Sequence, residues 1–272
     1  MDQNDCKTAM INGVELEYWD IGSGPPIVFI HGGMGDECTS VIREPMLTSR
    51  FRLIHFHRRG YGRSDCQEMP VPVSQHSDDC RALLDYLDVR IAHVVGQSYG
   101  GVVSLQLVAD APATVRTLTV LEPALPSVLL ASPEFAALAQ QANELYQDGK
   151  CREAIELFGR TVVGDKGWSD FSSVWLERWF DDAVVMFESD FPALGTWSFS
   201  SAEAKRISQP VLNLLGADSP VFFKKVSEAV AEWIPHAENH VVPDTGHCIL
   251  QANPSGAAQY IAQHIERHPI AE

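Results

Sequence analysis

The chain has 272 residues, 45% of them hydrophobic, which is enough to bury the core of one large domain or of one domain with an insertion. Its 36 acidic and 20 basic residues give a formal net charge of -16, which disfavours binding to phosphate backbones and anionic membranes. The N-terminus lacks the basic and apolar regions of a signal peptide, and no run approaches the roughly 20 apolar residues that span a bilayer. We therefore expect a cytoplasmic protein that acts on a small molecule and has no nucleic-acid or membrane partner.

The first half of the chain alternates strand patterns with helical patterns. Asn12-Gly13 predicts a hairpin turn between strands at Lys7–Ile11 and 14–20. Strands are then predicted at 27–30, 52–56, 92–95 and 115–121. Connecting helices are predicted at 36–49, 74–87 and 102–109.

The pattern changes from about residue 127 to residue 204. This stretch has helical patterns at 134–146, 152–162 and 171–187 and contains four of the six tryptophans. The alternation of strands and helices returns at 211–215, 226–233, 238–242 and 255–266. Such alternation predicts an α/β fold, with a mostly parallel central sheet and helices on both faces. We expect the core to comprise residues 1–126 and 205–272, and residues 127–204 to form a helical insertion.

A candidate nucleophile lies between the strand at 92–95 and the helix at 102–109. The residues Gly96-Gln97-Ser98-Tyr99-Gly100 match the pattern G-x-S-x-G, in which the glycines permit a tight, strained turn that exposes the serine hydroxyl. The N–H of Tyr99, at the start of the next helix, would point to the place where an oxyanion forms. A second N–H donor is expected after the strand at 27–30, where His31-Gly32-Gly33 permits close approach of the backbone. We favour Gly33 for this role, with Met34 as the alternative.

His247 has the best setting among the ten histidines for a catalytic base. It follows the strand at 238–242 and precedes a C-terminal helix, so its ring can lie over a nucleophile from a loop. It also comes late in the chain, after the serine, as chain order in this type of site requires.

These motifs together resemble the α/β-hydrolase superfamily over nearly the whole chain. They are His31-Gly32-Gly33, Arg59-Gly60-Tyr61-Gly62-Arg63-Ser64, the turn at Ser98 and Gly246-His247. One departure is His57, where many members have a structural aspartate. The resemblance implies that the helical insertion is a cap over the active site, and that its aromatic residues either line an apolar pocket or pack the cap on the core.

The resemblance leaves the acid of the triad open between two residues. Members usually carry it in a Gly-x-x-Asp turn, but here Gly216-Ala217-Asp218-Ser219-Pro220 places Ser219 at that position and Asp218 one residue early. Some members, including fungal zearalenone-type lactone hydrolases, carry a glutamate after an earlier strand, and Glu122 follows the strand at 115–121. A carboxylate at the end of a buried strand requires a partner. We favour Glu122 and keep Asp218 as the alternative.

The expected activity is hydrolysis of a carboxylic ester or lactone, which in this mechanism requires no cofactor and no metal. A hydrolase of carbon–carbon bonds in diketone-like substrates, or a receptor or scaffold with slow turnover, are the alternatives on the same fold. Dehalogenases and epoxide hydrolases of the superfamily use an aspartate nucleophile, whereas this chain has Ser98. A nucleotide-binding α/β protein is disfavoured because neither a P-loop nor a G-x-G-x-x-G motif follows the first core strand.

Overall fold

The structure, a computed structural model, describes residues 6–33 and 38–270. Its centre is an eight-stranded sheet in the order β1-β2-β4-β3-β5-β6-β7-β8. The strands are β1 (Lys7–Ile11), β2 (Val14–Gly22), β3 (Pro26–Ile30), β4 (Arg52–Phe56), β5 (Ala92–Gln97), β6 (Val115–Leu121), β7 (Val211–Gly216) and β8 (Glu238–Val242). β2 runs antiparallel to both β1 and β4, and the other pairs are parallel. The predicted fold class, a mostly parallel sheet, is confirmed.

The sequence of the first hairpin determines its turn. Ile11 pairs with Val14, so the turn consists of two residues, Asn12 and Gly13, with φ angles of 47° and 83°. Positive φ at both turn residues is typical of the turn type that matches the twist of a β-ribbon, and asparagine and glycine tolerate it best.

Helices cover both faces of the sheet. They are α1 (Cys38–Val41), α2 (Pro45–Thr48), α3 (Val73–Tyr86), α4 (Tyr99–Asp110), α5 (Pro126–Leu129), α6 (Pro133–Gln147), α7 (Cys151–Asp170), α8 (Ser173–Asp181), α9 (Ala183–Val185), α10 (Phe191–Thr196), α11 (Ser201–Ala204), α12 (Val221–Trp233), α13 (Ile249–Ala252) and α14 (Pro254–Arg267). The helix predicted at 36–49 is in fact α1 and α2, separated by a short break before Pro45; residues 36 and 37 lie outside the described residues.

Alternate residues of the central strands supply two apolar cores. In β3, Val28 and Ile30 face the core that α3 and α4 cover, while Ile27 and Phe29 face the core that α1, α13 and α14 cover. The side chains of successive strand residues point to opposite faces, so each buried strand contributes to both layers.

Between β6 and β7 the chain forms helices and no strand, and every residue of this stretch is described. α7 bends at Gly164, which has a φ of 78°. A π-helical segment, Met186–Asp190, joins α9 to α10. Buried aromatic side chains of this stretch, including Phe135, Phe158 and Trp168, pack into the same core as α4. None of the helices that the structure describes combines the length and the apolar character needed to cross a bilayer.

Candidate active site

Ser98 occupies a strained turn between β5 and α4. Its φ is 54° and its ψ is -119°, a backbone conformation that residues other than glycine rarely adopt. Two backbone hydrogen bonds hold the turn: Ser98 N–H donates to the Leu121 carbonyl at 2.9 Å, and the Ser98 carbonyl accepts from Ala124 N–H at 3.0 Å. The turn is therefore fixed by the end of the neighbouring strand β6.

The two glycines of the motif are required by close contacts. A Cβ on Gly96 would lie 2.2 Å from the Ser104 hydroxyl, and a Cβ on Gly100 would lie 2.0 Å from the Ile30 carbonyl oxygen. No side chain fits either position without a backbone shift, because real contacts of this kind stay beyond about 3 Å. The residues of G-x-S-x-G thus bring α4 close to the end of β3.

His247 makes a short hydrogen bond to Glu122. Its Nδ1 lies 2.6 Å from Glu122 Oε2, and its ring is stacked on Phe223 with centroids 3.7 Å apart and planes 7° apart. The histidine is 4% exposed and the glutamate is fully buried. A proton on Nδ1 satisfies the carboxylate and leaves Nε2 as a hydrogen-bond acceptor.

The other carboxylate oxygen of Glu122 is also satisfied. Oε1 accepts from the Gly216 N–H at 2.8 Å and from the Ser219 hydroxyl at 2.5 Å. Three donors therefore surround the buried charge, which removes much of the cost of burying it. Glu122 itself has a φ of 47°, so its backbone is strained where it points the side chain at His247.

Asp218, the alternative acid, is placed elsewhere. Its side chain is exposed, and it makes no hydrogen bond or ion pair with any residue in the described part of the chain. Its backbone N–H donates to the Thr245 carbonyl at 3.0 Å. The structure thus brings Glu122 to His247, while Ser219, at the usual acid position, donates to Glu122.

Ser98 and His247 both line a cavity of about 360 Å³ beneath the helices that join β6 to β7. Gln97 links their two segments, since its Oε1 accepts a hydrogen bond from Leu250 N–H at 3.0 Å. Gly33 and Tyr99 line the cavity too. As the first residue of α4, Tyr99 has an N–H without a partner inside the helix. Met34, the alternative donor, lies outside the described residues.

The rest of the cavity is predominantly apolar and aromatic. Its walls come mainly from α5 to α10, with Phe223 of α12 closing one side. The apolar residues that line it are Ala124, Pro126, Leu129, Leu130, Phe135, Ala139, Phe158, Val162, Trp175, Trp179, Met186, Phe187, Phe191, Pro192, Leu194 and Phe223. Among the few polar groups are Asn143, Asp190 and Gln251.

Arg58 and Asp190 form a buried ion pair that the sequence did not indicate. Arg58 is fully buried and Asp190 is 2% exposed. Burial is the largest single influence and lowers the pKa of Arg58, but the charge and hydrogen bonds of Asp190, together with smaller effects of Tyr61 and Tyr99, shift it upward overall, so the guanidinium stays charged. Burial, together with the charges of Arg58 and Arg59, lowers the pKa of His76 well below its ordinary value, so a neutral ring faces Arg58.

A possible metal-ligand set lies far from this cavity. Among the described residues, Glu238, His264 and His268 bring ligand atoms within 4.8 Å of one another. Glu238 begins β8, whereas Ser98 follows the end of β5, so the two places lie at opposite ends of the parallel strands. Arg267 also donates to Glu238, which gives this carboxylate a cation from the chain itself. The group does not line the cavity at Ser98.

A family model described as "alpha/beta hydrolase fold" matches residues 25–254. The chain belongs to this family. Along 250 residues it is 27% identical to an uncharacterized hydrolase, YraK, of Bacillus subtilis, a match that covers 86% of this chain and 88% of that protein.

Solved structures show the same fold at lower identity. A structure titled "Est816 as an N-Acyl homoserine lactone degrading enzyme" superposes with a TM-score of 0.75 at 24% identity, and covers 94% of this chain and 99% of that one. A thermophilic esterase from Thermogutta terrifontis superposes with a TM-score of 0.80 at 19% identity, and covers 97% and 99%. These matches support an α/β hydrolase fold and a hydrolase activity.

Proposed function

We propose that this α/β hydrolase cleaves a carboxylic ester or lactone through an acyl-enzyme, with Ser98 as nucleophile, His247 as base and Glu122 as the acid of the triad. The observation that carries the proposal is the 2.6 Å hydrogen bond between His247 Nδ1 and the buried Glu122 carboxylate, because His247 lines the same cavity as Ser98. A histidine held in this way presents Nε2 to a nucleophile.

In the first step, Ser98 Oγ attacks the carbonyl carbon while His247 Nε2 takes its proton. The Glu122 carboxylate stabilises the imidazolium that forms. The N–H groups of Gly33 and Tyr99 hold the oxyanion, and the intermediate collapses as His247 protonates the leaving alkoxide. In a lactone, this alkoxide remains attached to the acyl group.

In the second step, His247 removes a proton from water, which attacks the acyl-enzyme. The same N–H groups stabilise the second oxyanion, and Ser98 leaves with the proton from His247. The chain's own side chains therefore supply every proton transfer.

The cavity supports a substrate with an apolar acyl group or ring. Its volume of about 360 Å³ is near the lower end of the usual range of small-molecule sites, about 300–1,000 Å³. Helices α5 to α10 provide most of its apolar surface, and we propose that residues 127–204 act as a cap that excludes water during the reaction. The names of the two solved structures, an esterase and a lactone-degrading enzyme, agree with this substrate class.

A panel of substrates tests the proposal. We would measure turnover of p-nitrophenyl esters from acetate to decanoate, of γ- and δ-lactones, and of a vinylogous diketone for carbon–carbon cleavage. Ester or lactone turnover that disappears in Ser98→Ala supports the proposal. Turnover of the diketone alone would replace it by carbon–carbon hydrolysis, and absence of any turnover would favour a receptor or scaffold.

A further inference from the structure

Arg58 joins the core to the helices between β6 and β7. Arg58 follows β4, and Asp190 ends the π-helical segment 132 positions later. The guanidinium makes two parallel hydrogen bonds to the carboxylate: Nη1 to Oδ1 at 2.9 Å and Nη2 to Oδ2 at 2.8 Å. The Tyr61 hydroxyl donates to the same Oδ2 at 2.7 Å. Paired hydrogen bonds of this type fix orientation as well as distance.

The same guanidinium also holds the loop that leads to Gly33. Nη2 donates to the Gly32 carbonyl at 2.8 Å and Nε donates to the His31 carbonyl at 3.4 Å. The backbone N–H of Arg58 donates to His31 Nε2 at 2.9 Å. These contacts fix the two residues that precede the proposed oxyanion donor.

The second proposed donor, Tyr99, contacts Arg58 through its ring. The guanidinium carbon lies 4.2 Å from the centroid of the Tyr99 ring and 4.6 Å from that of Tyr61. A cation between two aromatic faces is attracted to both. Arg58 therefore touches the residue on one side of the oxyanion hole and the loop on the other.

The charge of Asp190 matters because of where it lies. Its Oδ2 is 3.4 Å from the position that a Cβ on Gly33 would occupy, and its side chain lines the cavity that contains Ser98. An unpaired carboxylate here would repel the oxyanion of the reaction, and in an apolar cavity this repulsion is weakly screened. Arg58 supplies the compensating charge.

We propose that Arg58 is a positioning residue that aligns both halves of the oxyanion hole and neutralises Asp190, and that Asp190 couples this alignment to the packing of the helices over the site. The inference rests on the proposed function, because it assumes that an oxyanion forms near Gly33 and Tyr99. A buried ion pair is by itself weak evidence for a role in stability, since well-packed apolar residues often stabilise as much.

Kinetics of four variants test the inference with the p-nitrophenyl ester that the wild type cleaves best. Arg58→Met leaves Asp190 unpaired, and we expect kcat to fall about 100-fold with little change in KM, the range for loss of one oxyanion donor. Asp190→Asn leaves a positive charge, so its loss should be about 10-fold or less. The double variant Arg58→Met/Asp190→Asn should regain part of the activity lost in Arg58→Met, because the unpaired charge is gone while the contacts of Arg58 with the loop and with Tyr99 remain lost. Arg58→Lys, which keeps the charge but not the two parallel hydrogen bonds, should fall between the wild type and Arg58→Met.

Arg59→Met is the matched control. Arg59 neighbours Arg58 and also pairs with a buried aspartate, Asp79, at 2.6 Å, but its side chain makes no hydrogen bond to the loop that leads to Gly33 and does not line the cavity. Thermal unfolding and limited proteolysis of all variants show whether a variant has a lower kcat because part of it is unfolded. Fluorophosphonate labelling of wild-type Ser98 tests the proposed function separately.

A double variant that is no more active than Arg58→Met would overturn the charge argument. A fall in kcat that Arg59→Met reproduces at the same loss of thermal stability would overturn the positioning role. Where Arg58→Met does not fold, Arg58→Lys and Asp190→Asn decide: unchanged kcat in both refutes the inference. Failure of wild-type Ser98 to label would instead refute the proposed function.

Discussion

Glu122→Gln removes the negative charge beside His247 with almost no change in shape. In the native site, Glu122 Oε1 accepts two hydrogen bonds, from Gly216 N–H and from the Ser219 hydroxyl, while Oε2 accepts from His247 Nδ1. The carbonyl oxygen of glutamine, in place of Oε1, accepts from both of these donors. Its NH₂ group then faces the histidine and can only donate, so the imidazole proton moves to Nε2. This tautomer cannot accept the Ser98 proton.

The corresponding change of aspartate to asparagine in a serine protease lowers kcat by about 10⁴-fold. At about 1.36 kcal/mol for each factor of ten, we expect a loss of about 5.5 kcal/mol of transition-state stabilisation in Glu122→Gln. The assay is steady-state ester hydrolysis near pH 7.5, with thermal unfolding to confirm that the variant is folded. Asp218→Asn is the matched control, and its kcat should change less than about twofold because its side chain is exposed. Full activity in Glu122→Gln with a large loss in Asp218→Asn would refute this reasoning.

Three further changes test the packing, the electrostatics and the histidine. Gly100→Ala should lower the free energy of unfolding by about 3 kcal/mol in urea titrations, because its Cβ would meet the Ile30 carbonyl at 2.0 Å; a change below about 0.5 kcal/mol would contradict this. Burial, with smaller effects of nearby cations, lowers the pKa of His93 from 6.5 to about 4, so only the unfolded chain binds its proton between these pH values. The contribution of neutral His93 to stability is therefore present above pH 6.5 and lost as the pH falls towards 4, and His93→Gln should reduce this loss by up to about 3 kcal/mol. The same dependence of the free energy of unfolding on pH in the wild type and in His93→Gln would contradict this. Phe223→Ala removes the ring stacked on His247 and should lower kcat about 10-fold in a folded protein, whereas unchanged kcat would show that the stacking has no role in orienting the imidazole.

Local patterns in the sequence were sufficient for most of the sheet. β1, β4, β6 and β8 have the predicted bounds; β1 ends at the Asn12-Gly13 turn and β8 ends before Pro243. The helices between β6 and β7 were predicted less accurately. The pattern at 171–187 is broken in the structure into α8, α9 and part of the π-helical segment, and the pattern at 152–162 continues to Asp170 past the bend at Gly164. Packing against the core determines where these helices begin and end, and the periodicity of the sequence carries no information about that packing.

The sequence leaves the acid of the triad open, because the aspartate in the loop at 216–220 lies one residue earlier than in the usual Gly-x-x-Asp pattern. The hydrogen bonds that distinguish Glu122 from Asp218 connect residues 97 and 125 positions apart along the chain. Ser219 was identified as occupying the usual acid position, but its donation to Glu122 became visible only in three dimensions. Contacts of this range depend on strand order and register, which local sequence does not encode.

The Arg58–Asp190 pair was missed for a different reason. Arg58 lies in the run His57-Arg58-Arg59, and charged runs are ordinarily exposed to solvent. Its partner belongs to a segment in which the aromatic residues were the main signal. Only the fold reveals that one arginine of the run is fully buried while Arg63, a few residues later, is largely exposed.

The most direct test of the central claim is the intact mass of the protein after treatment with a fluorophosphonate probe. The probe reacts with a serine only when a neighbouring base activates its hydroxyl. We expect one adduct on the wild type, none on Ser98→Ala, and slower labelling of Glu122→Gln than of Asp218→Asn. A folded wild type that remains unlabelled, or a Ser98→Ala variant that labels as fast as the wild type, would contradict the assignment of Ser98 as the nucleophile.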